Sequence, residues 1–283
     1  QLIQNGDKTC LFISGFSGVG KTSLVTKILK PLAKKHGRFI SGKYDQILDN
    51  PNQALIHSLT DLANQIIADT ENTAYWKAHL TEALSPNTQI ITNLIPELTE
   101  LLGPQQAYVS SDLQKGSERI SLVLQKFIDC VATKDQPLVI FLDDLQRASV
   151  DAIAIIQTLI LNCNGAIMFV SAYRENECTD SDHPIHQLIN VLKSSKGSSL
   201  VHNVAITDMS EFDTEKAIQH SLSITFDALE LAGINQSSIE THLSDMLQMN
   251  VQAPELKQLS QVIYKKTHGN PFFIKQLLMH MKQ

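Results

Sequence analysis

Apolar residues along this chain follow two rhythms. Short unbroken runs such as Cys10-Leu11-Phe12-Ile13 and the stretch from Leu138 to Leu142 read as strands buried on both faces. The strands expected on this basis span residues 9–14, 38–43, 138–142, 166–172 and 200–206. Elsewhere apolar residues recur every three or four positions, the spacing of one helix face. Leu24, Val25, Ile28, Leu29 and Leu32 predict a helix over 23–35. Between the second and third strands, residues 52–133 show the same spacing at Leu55, Leu59, Leu62 and Ile66, at Leu94, Leu98 and Leu101, and at Ile120, Val123, Leu124 and Phe127. Pro86, Pro96 and Pro104 punctuate this region, which reads as a helical insertion with an exposed loop over 103–116. After residue 206 the pattern is helical throughout, over 209–222, 226–232, 238–247 and 254–264, with Asn270-Pro271 opening a last helix.

Strands alternating with helices predict an α/β fold, a parallel sheet flanked by helices, followed by a smaller helical domain. The expected boundaries are a sheet domain over 1–206, its insertion over about 52–133, and a helical lid over 207–283.

Composition narrows the function classes. The chain has 283 residues, 43% apolar and 18% charged, with a net charge of −6 and four arginines, Arg38, Arg119, Arg147 and Arg174. An acidic, arginine-poor chain argues against a nucleic-acid surface, and no run approaches the 18 consecutive apolar residues of a membrane span. Cys10, Cys130, Cys163 and Cys178 form no C-x-x-C pair and read as buried free thiols. A cytoplasmic location is the expectation.

The chemistry begins at Gly15-Phe16-Ser17-Gly18-Val19-Gly20-Lys21-Thr22, which matches G-x-x-x-x-G-K-[ST] between a strand and a helix. Glycines let the backbone turn its N–H groups inward onto phosphate oxygens, and the helix N-terminus adds its positive dipole end. Gly15, Ser17, Gly18, Val19, Gly20, Lys21, Thr22 and Ser23 are therefore the expected nucleotide contacts, with Lys21 on the β- and γ-phosphates and Thr22 on Mg²⁺. A second element is the strand that runs into Asp143 and Asp144. Asp143 is expected to hold Mg²⁺ through a water, and Asp144 to orient or deprotonate the attacking water. The strand over 166–172 leads to Arg174, placed to read the third phosphate, a role favoured over the plain alternative of a surface pair with Glu175 or Glu177. No base-reading N/T-K-x-D follows a strand: Thr133-Lys134-Asp135 has the wrong spacing and precedes one, so adenine is expected over guanine. His183 and His186 lack a third ligand and read as loop histidines.

The segments GFSGVGKTSL, KPLAKKHGRFISGKYDQ, NLIPELTELLGPQ, PLVIFLDDLQ, SAYRENE and KTHGNPFFIKQLL occur in this order along the chain. In them the chain resembles the predicted-ATPase domain of STAND-class signalling proteins, P-loop NTPases of AAA+-like fold fused to kinase, GAF, histidine kinase or cyclase modules. The resemblance implies that Arg174 senses the γ-phosphate and that Gly269-Asn270-Pro271 is a lid element whose Pro271 packs near adenine and ribose. It also marks Gly42-Lys43-Tyr44-Asp45-Gln46 as a family signature without supplying its chemistry. Family members usually read DDLQWAD, whereas this chain continues Asp143-Asp144 with Leu145-Gln146-Arg147-Ala148-Ser149. Both carboxylates remain, so Mg²⁺ binding is expected to survive, and the change bears on the packing of the following loop and on the hydrolysis rate.

The expected function is an ATP-binding, slowly hydrolysing switch domain of a signal-transduction protein, with Lys21, Asp144 and Arg174 as catalytic groups, ATP/ADP and Mg²⁺ as ligands, and ADP/ATP exchange controlling conformation. Expected partners are other domains of a larger signalling chain or a second copy, with no nucleic acid and no membrane. The alternative is a scaffold that binds nucleotide without hydrolysing it. A DNA-handling motor fits the charge poorly, and a small-molecule kinase lacks an acceptor motif.

Overall fold

The computed structural model describes residues 8–45, 52–104, 116–195, 201–206, 229–231, 236–247 and 250–267, together with 269, 274 and 277. Among these, six strands form one sheet: β1 (Thr9–Gly15), β2 (Arg38–Lys43), β3 (Leu138–Asp143), β4 (Ile167–Arg174), β5 (Val201–Ile206) and β6 (Leu229–Leu231). Their order is β2-β3-β4-β1-β5-β6, and every neighbouring pair is parallel. Parallel neighbours need crossover connections, and among the described residues helices lie between β1 and β2, β2 and β3, β3 and β4, and β4 and β5.

Each central strand sends alternate residues to opposite faces, and both faces are covered. Cys10, Phe12, Ile40, Leu138, Ile140, Leu142, Ile167 and Phe169 point into the larger core. There they meet α3 (Gln53–Ile67), α4 (Thr73–Leu84), α5 (Thr88–Leu94), α6 (Leu98–Leu102), α7 (Gly116–Val131), α8 (Val150–Asn162) and α9 (Pro184–Ser194). Leu11, Ile13, Phe39, Val139, Phe141, Met168, Val170 and Ala172 point the other way, onto Val19, Leu24, Val25 and Leu29. These last residues belong to the phosphate loop and to one helix in three contiguous pieces, α1 (Lys21–Leu24), a π turn (Val25–Leu29) and α2 (Lys30–His36). The expected insertion, together with α8 and α9, thus covers one face of the sheet, and with both faces covered the strands read as continuous apolar runs instead of an alternation.

The expected strands lie within about one or two residues of those observed, and the helix expected over 23–35 begins two residues earlier, at Lys21. One expectation is corrected. Residues 226–232 were expected to be helical, but Leu229–Leu231 is a strand whose register partners are Val204, Ala205 and Ile206 of β5. A seven-residue helix is marginal by itself, whereas the edge of β5 offers a ready row of backbone partners. The helices expected over 238–247 and 254–264 appear as α10 (Gln236–Leu247) and α11 (Pro254–Thr267). Ile239, Leu243, Leu256, Ile263 and Ile274 form an apolar cluster of their own. The helix expected over 209–222, the loop over 105–115 and residues 270–273 lie outside the described residues. All four cysteines are free and buried, and burial pushes the Cys10 thiol up to about 12.

Phe127 on α7 is fully buried and belongs to the core that holds the insertion on the sheet. Phe127→Ala is expected to lower the unfolding free energy by about 3–5 kcal/mol, read from the urea midpoint. A loss below about 1 kcal/mol would mean that this face of the sheet is not close-packed.

Candidate functional site

Strands of a parallel sheet all end at one edge, and here four chemically distinct residues end together. Gly15, the last residue of β1, is the register partner of Arg174, the last of β4. Lys43, the last residue of β2, pairs with Asp143, the last of β3. The phosphate-loop glycine, the acidic pair and the arginine therefore share the C-terminal edge, where open α/β sheets bind their ligands.

The loop from Gly15 to Gly20 joins this edge to α1. Gly20 caps the helix with φ 99° and ψ 13°, and a Cβ there would meet no atom within 4 Å. Glycine is favoured at this position by its left-handed backbone, not by crowding. Phe16 and Ser17 are exposed, while Val19 is buried and anchors the loop in the smaller core. Lys21 is only 7% exposed. Its Nζ donates to the carbonyl oxygens of Gly15 at 2.9 Å and Phe16 at 2.8 Å. Burial pushes this ammonium down to about 8, and Arg174 pushes the same way, against the opposing charges of Asp143, Asp144 and Glu177. A buried cation held by loop carbonyls is suited to exchange those partners for phosphate oxygens.

Thr22 Oγ1 donates to Asp143 Oδ2 at 2.7 Å, tying the phosphate loop to β3 across the intervening β4. Asp143 Oδ1 accepts from the Asp144 N–H at 3.0 Å. Asp144 takes a left-handed backbone, φ 52° and ψ 42°, which turns the chain sharply at the end of β3. Its carboxylate meets three partners: Arg174 Nε at 3.2 Å, Gln146 Nε2 at 3.1 Å and Lys43 Nζ at 3.4 Å. Burial pushes its carboxyl up, but the Gln146 hydrogen bond and the charges of Arg174 and Lys43 outweigh burial and hold it below the usual carboxylate range. Arg174 also meets Glu177 at 2.7 Å, so it makes the simple surface pair and reaches the acidic pair as well.

The structure gives the Gly42–Asp45 signature a physical reading that spacing alone did not. A Cβ on Gly42 would collide with the Ala54 carbonyl, so glycine lets β2 approach the start of α3. Lys43 reaches Asp144, the Tyr44 N–H donates to the Asp143 carbonyl at 3.0 Å, and Asp45 meets Arg147 at 3.6 Å. Gln46 lies outside the described residues. The departures after Asp144 are accommodated here too: Arg147 has the Asp45 partner, and the Ser149 hydroxyl caps α8 by accepting from the Ala152 N–H at 3.1 Å. Serine and aspartate are both strong N-caps, so the start of α8 keeps its anchor. Lys43 and Gln146 are the site residues that sequence reasoning missed, whereas Glu177 was named there as a partner of Arg174. The only signal for Lys43 and Gln146 was a place inside the quoted motifs, since the contacts of Lys43 with Asp144 and of Gln146 with Arg174 cross between neighbouring strands of the sheet.

Among the described residues no group of three or more His, Cys, Asp and Glu could hold a metal ion. His183 caps α9 and His186 contacts the Cys178 carbonyl. Thr22 and Asp143 instead offer two adjacent hard oxygen donors, the set that fits Mg²⁺ sharing its shell with phosphates and water. Gly269 follows α11 with φ 76°, whereas Pro271 lies outside the described residues. A cleft of about 390 Å³ lined by Arg38, Asp69, Asn72, Tyr75, Trp76 and Gln136 sits at the other end of β2 and shares no residue with this constellation. No helix among the described residues is long and apolar enough to cross a membrane.

The family model described as "AAA ATPase domain" matches residues 2–164, more than half of the chain. The chain belongs to the AAA ATPase domain family. Its parallel α/β sheet, phosphate loop and acidic strand end are those of a P-loop NTPase. It is also 34% identical over 159 residues, 56% of its length, to the hybrid signal transduction histidine kinase G of Dictyostelium discoideum. The match spans 5% of that relative, a far longer protein.

The Thr22–Asp143 hydrogen bond makes a stability prediction for this AAA domain. Thr22→Val removes the donor from a buried carboxylate and is expected to destabilise the fold by about 1–3 kcal/mol, whereas Thr22→Ser stays near the native value. Equal urea midpoints for Val and Ser would show that the contact does not hold the loop to β3.

Proposed function

We propose that this domain is an ATP-dependent switch of the STAND type that binds ATP and ADP, hydrolyses ATP slowly, and changes conformation with the exchange. The observation that carries the reading is the contact between Arg174 and Asp144 at the mouth of the phosphate loop. One group suited to reading a third phosphate holds one suited to activating water. The likeness to part of a histidine kinase supports a place within a larger signalling chain.

In this reading the loop N–H groups from Gly15 to Ser23 and the start of α1 cradle the phosphates. Lys21 leaves its two carbonyl partners for the β- and γ-phosphate oxygens. Thr22 and Asp143 hold Mg²⁺, which when bound neutralises charge on the β- and γ-phosphates. Asp144 orients the attacking water and accepts its proton, and Arg174 turns to the γ-phosphate as charge builds there. Pro271 packs against the nucleoside, and the helices that follow β6, α10 and α11, act as the lid. Release of phosphate returns Arg174 to Asp144, so the nucleotide state is written into one ion pair.

A second reading is a scaffold that binds nucleotide without turnover. The three partners of Asp144 favour it, because a carboxylate so engaged has little free capacity to take a proton from water.

One set of variants tests the proposal. Lys21→Ala is expected to lose triphosphate binding. Asp144→Asn is expected to bind ATP yet lose turnover by about 10²–10⁴-fold. Arg174→Ala is expected to weaken ATP more than ADP by isothermal titration. Unchanged affinity in Lys21→Ala would refute the phosphate-loop role, and equal losses for ATP and ADP in Arg174→Ala would refute the sensor role.

A further inference from the structure

A single amide sits where the two functional strand ends meet. Gln146 lies in the short turn that follows Asp144, and it uses both ends of its side chain. Its Oε1 accepts the backbone N–H of Arg174 at 3.1 Å. Its Nε2 donates to Asp144 Oδ1 at 3.1 Å and to Glu177 Oε2 at 3.3 Å. The orientation of the amide is dictated by these neighbours, because reversing it would set an oxygen against two carboxylates and an NH₂ against an N–H donor. Both N–H bonds and the oxygen are therefore used, and they reach three residues on two strand ends.

From this we propose that Gln146 is the positioning residue that couples Asp144 to Arg174. The proposal rests on the switch reading above. Gln146 need touch neither nucleotide nor water. By binding the backbone at Arg174 it fixes where the end of β4 stands against the end of β3. By donating to Asp144 it holds one carboxylate oxygen on the Arg174 side, while Lys43 takes the other. By donating to Glu177 it restrains the second carboxylate that competes for the guanidinium. Arg174 therefore chooses between a pair of anchored carboxylates and an incoming phosphate, and the amide sets the distance over which it must swing. Without the amide, Asp144 and Glu177 can reorient independently, and the third phosphate no longer reports to the hydrolytic carboxylate.

Two substitutions separate positioning from mere filling of space. Gln146→Glu keeps the size and an acceptor oxygen but loses both donated hydrogen bonds, and Gln146→Met keeps the length but loses all three. Each is compared with the native chain for ATP turnover in Mg²⁺ and for ATP and ADP affinity by isothermal titration. Both are expected to lower kcat by about tenfold or more, to leave ADP affinity within about twofold, and to reduce the preference for ATP over ADP. Adding Arg174→Ala to Gln146→Glu is expected to remove no further preference, the non-additivity of two residues that act through one contact. Turnover within about twofold of native in Gln146→Glu, or ADP affinity falling in step with kcat, would overturn the proposal. Should the native chain bind ATP without turning it over, the hydrolysis reading fails separately, and the ATP-over-ADP preference decides for or against Gln146.

Discussion

The placement of β4 between β1 and β3 is the constraint on which the site depends. Because it intervenes, the phosphate loop and the acidic strand end are one strand apart, and Thr22 must reach across to Asp143. The same placement sets Arg174 beside the first glycine of the loop. A parallel sheet brings all strand ends to one edge, but only this order puts the guanidinium between phosphate loop and carboxylates. Charge then does the rest. Asp144 is buried and ionised because Gln146, Arg174 and Lys43 surround it, and Lys21 is a buried cation held by carbonyls within reach of the same field.

The cores explain why that edge is well defined. The larger core locks the helical insertion onto one face, and the smaller core clamps the phosphate-loop helix to the other, with Val19 drawing the loop itself inward. A loop pinned at Val19 and Gly20 and tied at Thr22 has little freedom left, which is what preorganised phosphate binding requires.

Much of this was legible in the chain. The apolar runs marked the central strands because they are short, rich in β-branched and aromatic residues and bounded by turn residues, too short for a buried helix, and the glycine-rich loop carried its own chemistry. Two kinds of information were not legible. Leu229–Leu231 reads as part of a helix locally, and only the open edge of β5 makes it a strand. Lys43 and Gln146 sit in quoted motifs, yet their roles arise between strands far apart in sequence, where Lys43 lies 3.4 Å from the Asp144 carboxylate and Gln146 accepts the Arg174 N–H at 3.1 Å. The replaced residues after Asp144 looked disruptive in sequence. In three dimensions Arg147 meets Asp45 and Ser149 caps α8, so the loop keeps its anchors through different side chains.

The central claim is that this edge both binds ATP and hydrolyses it. The most direct measurement is to purify the native chain without added nucleotide, denature it, and identify the released nucleotide by chromatography. The account predicts ADP close to one per chain, the product held in the resting state. Intact ATP would contradict hydrolysis at Asp144, and no adenine nucleotide at all would contradict a domain that rests with ADP bound.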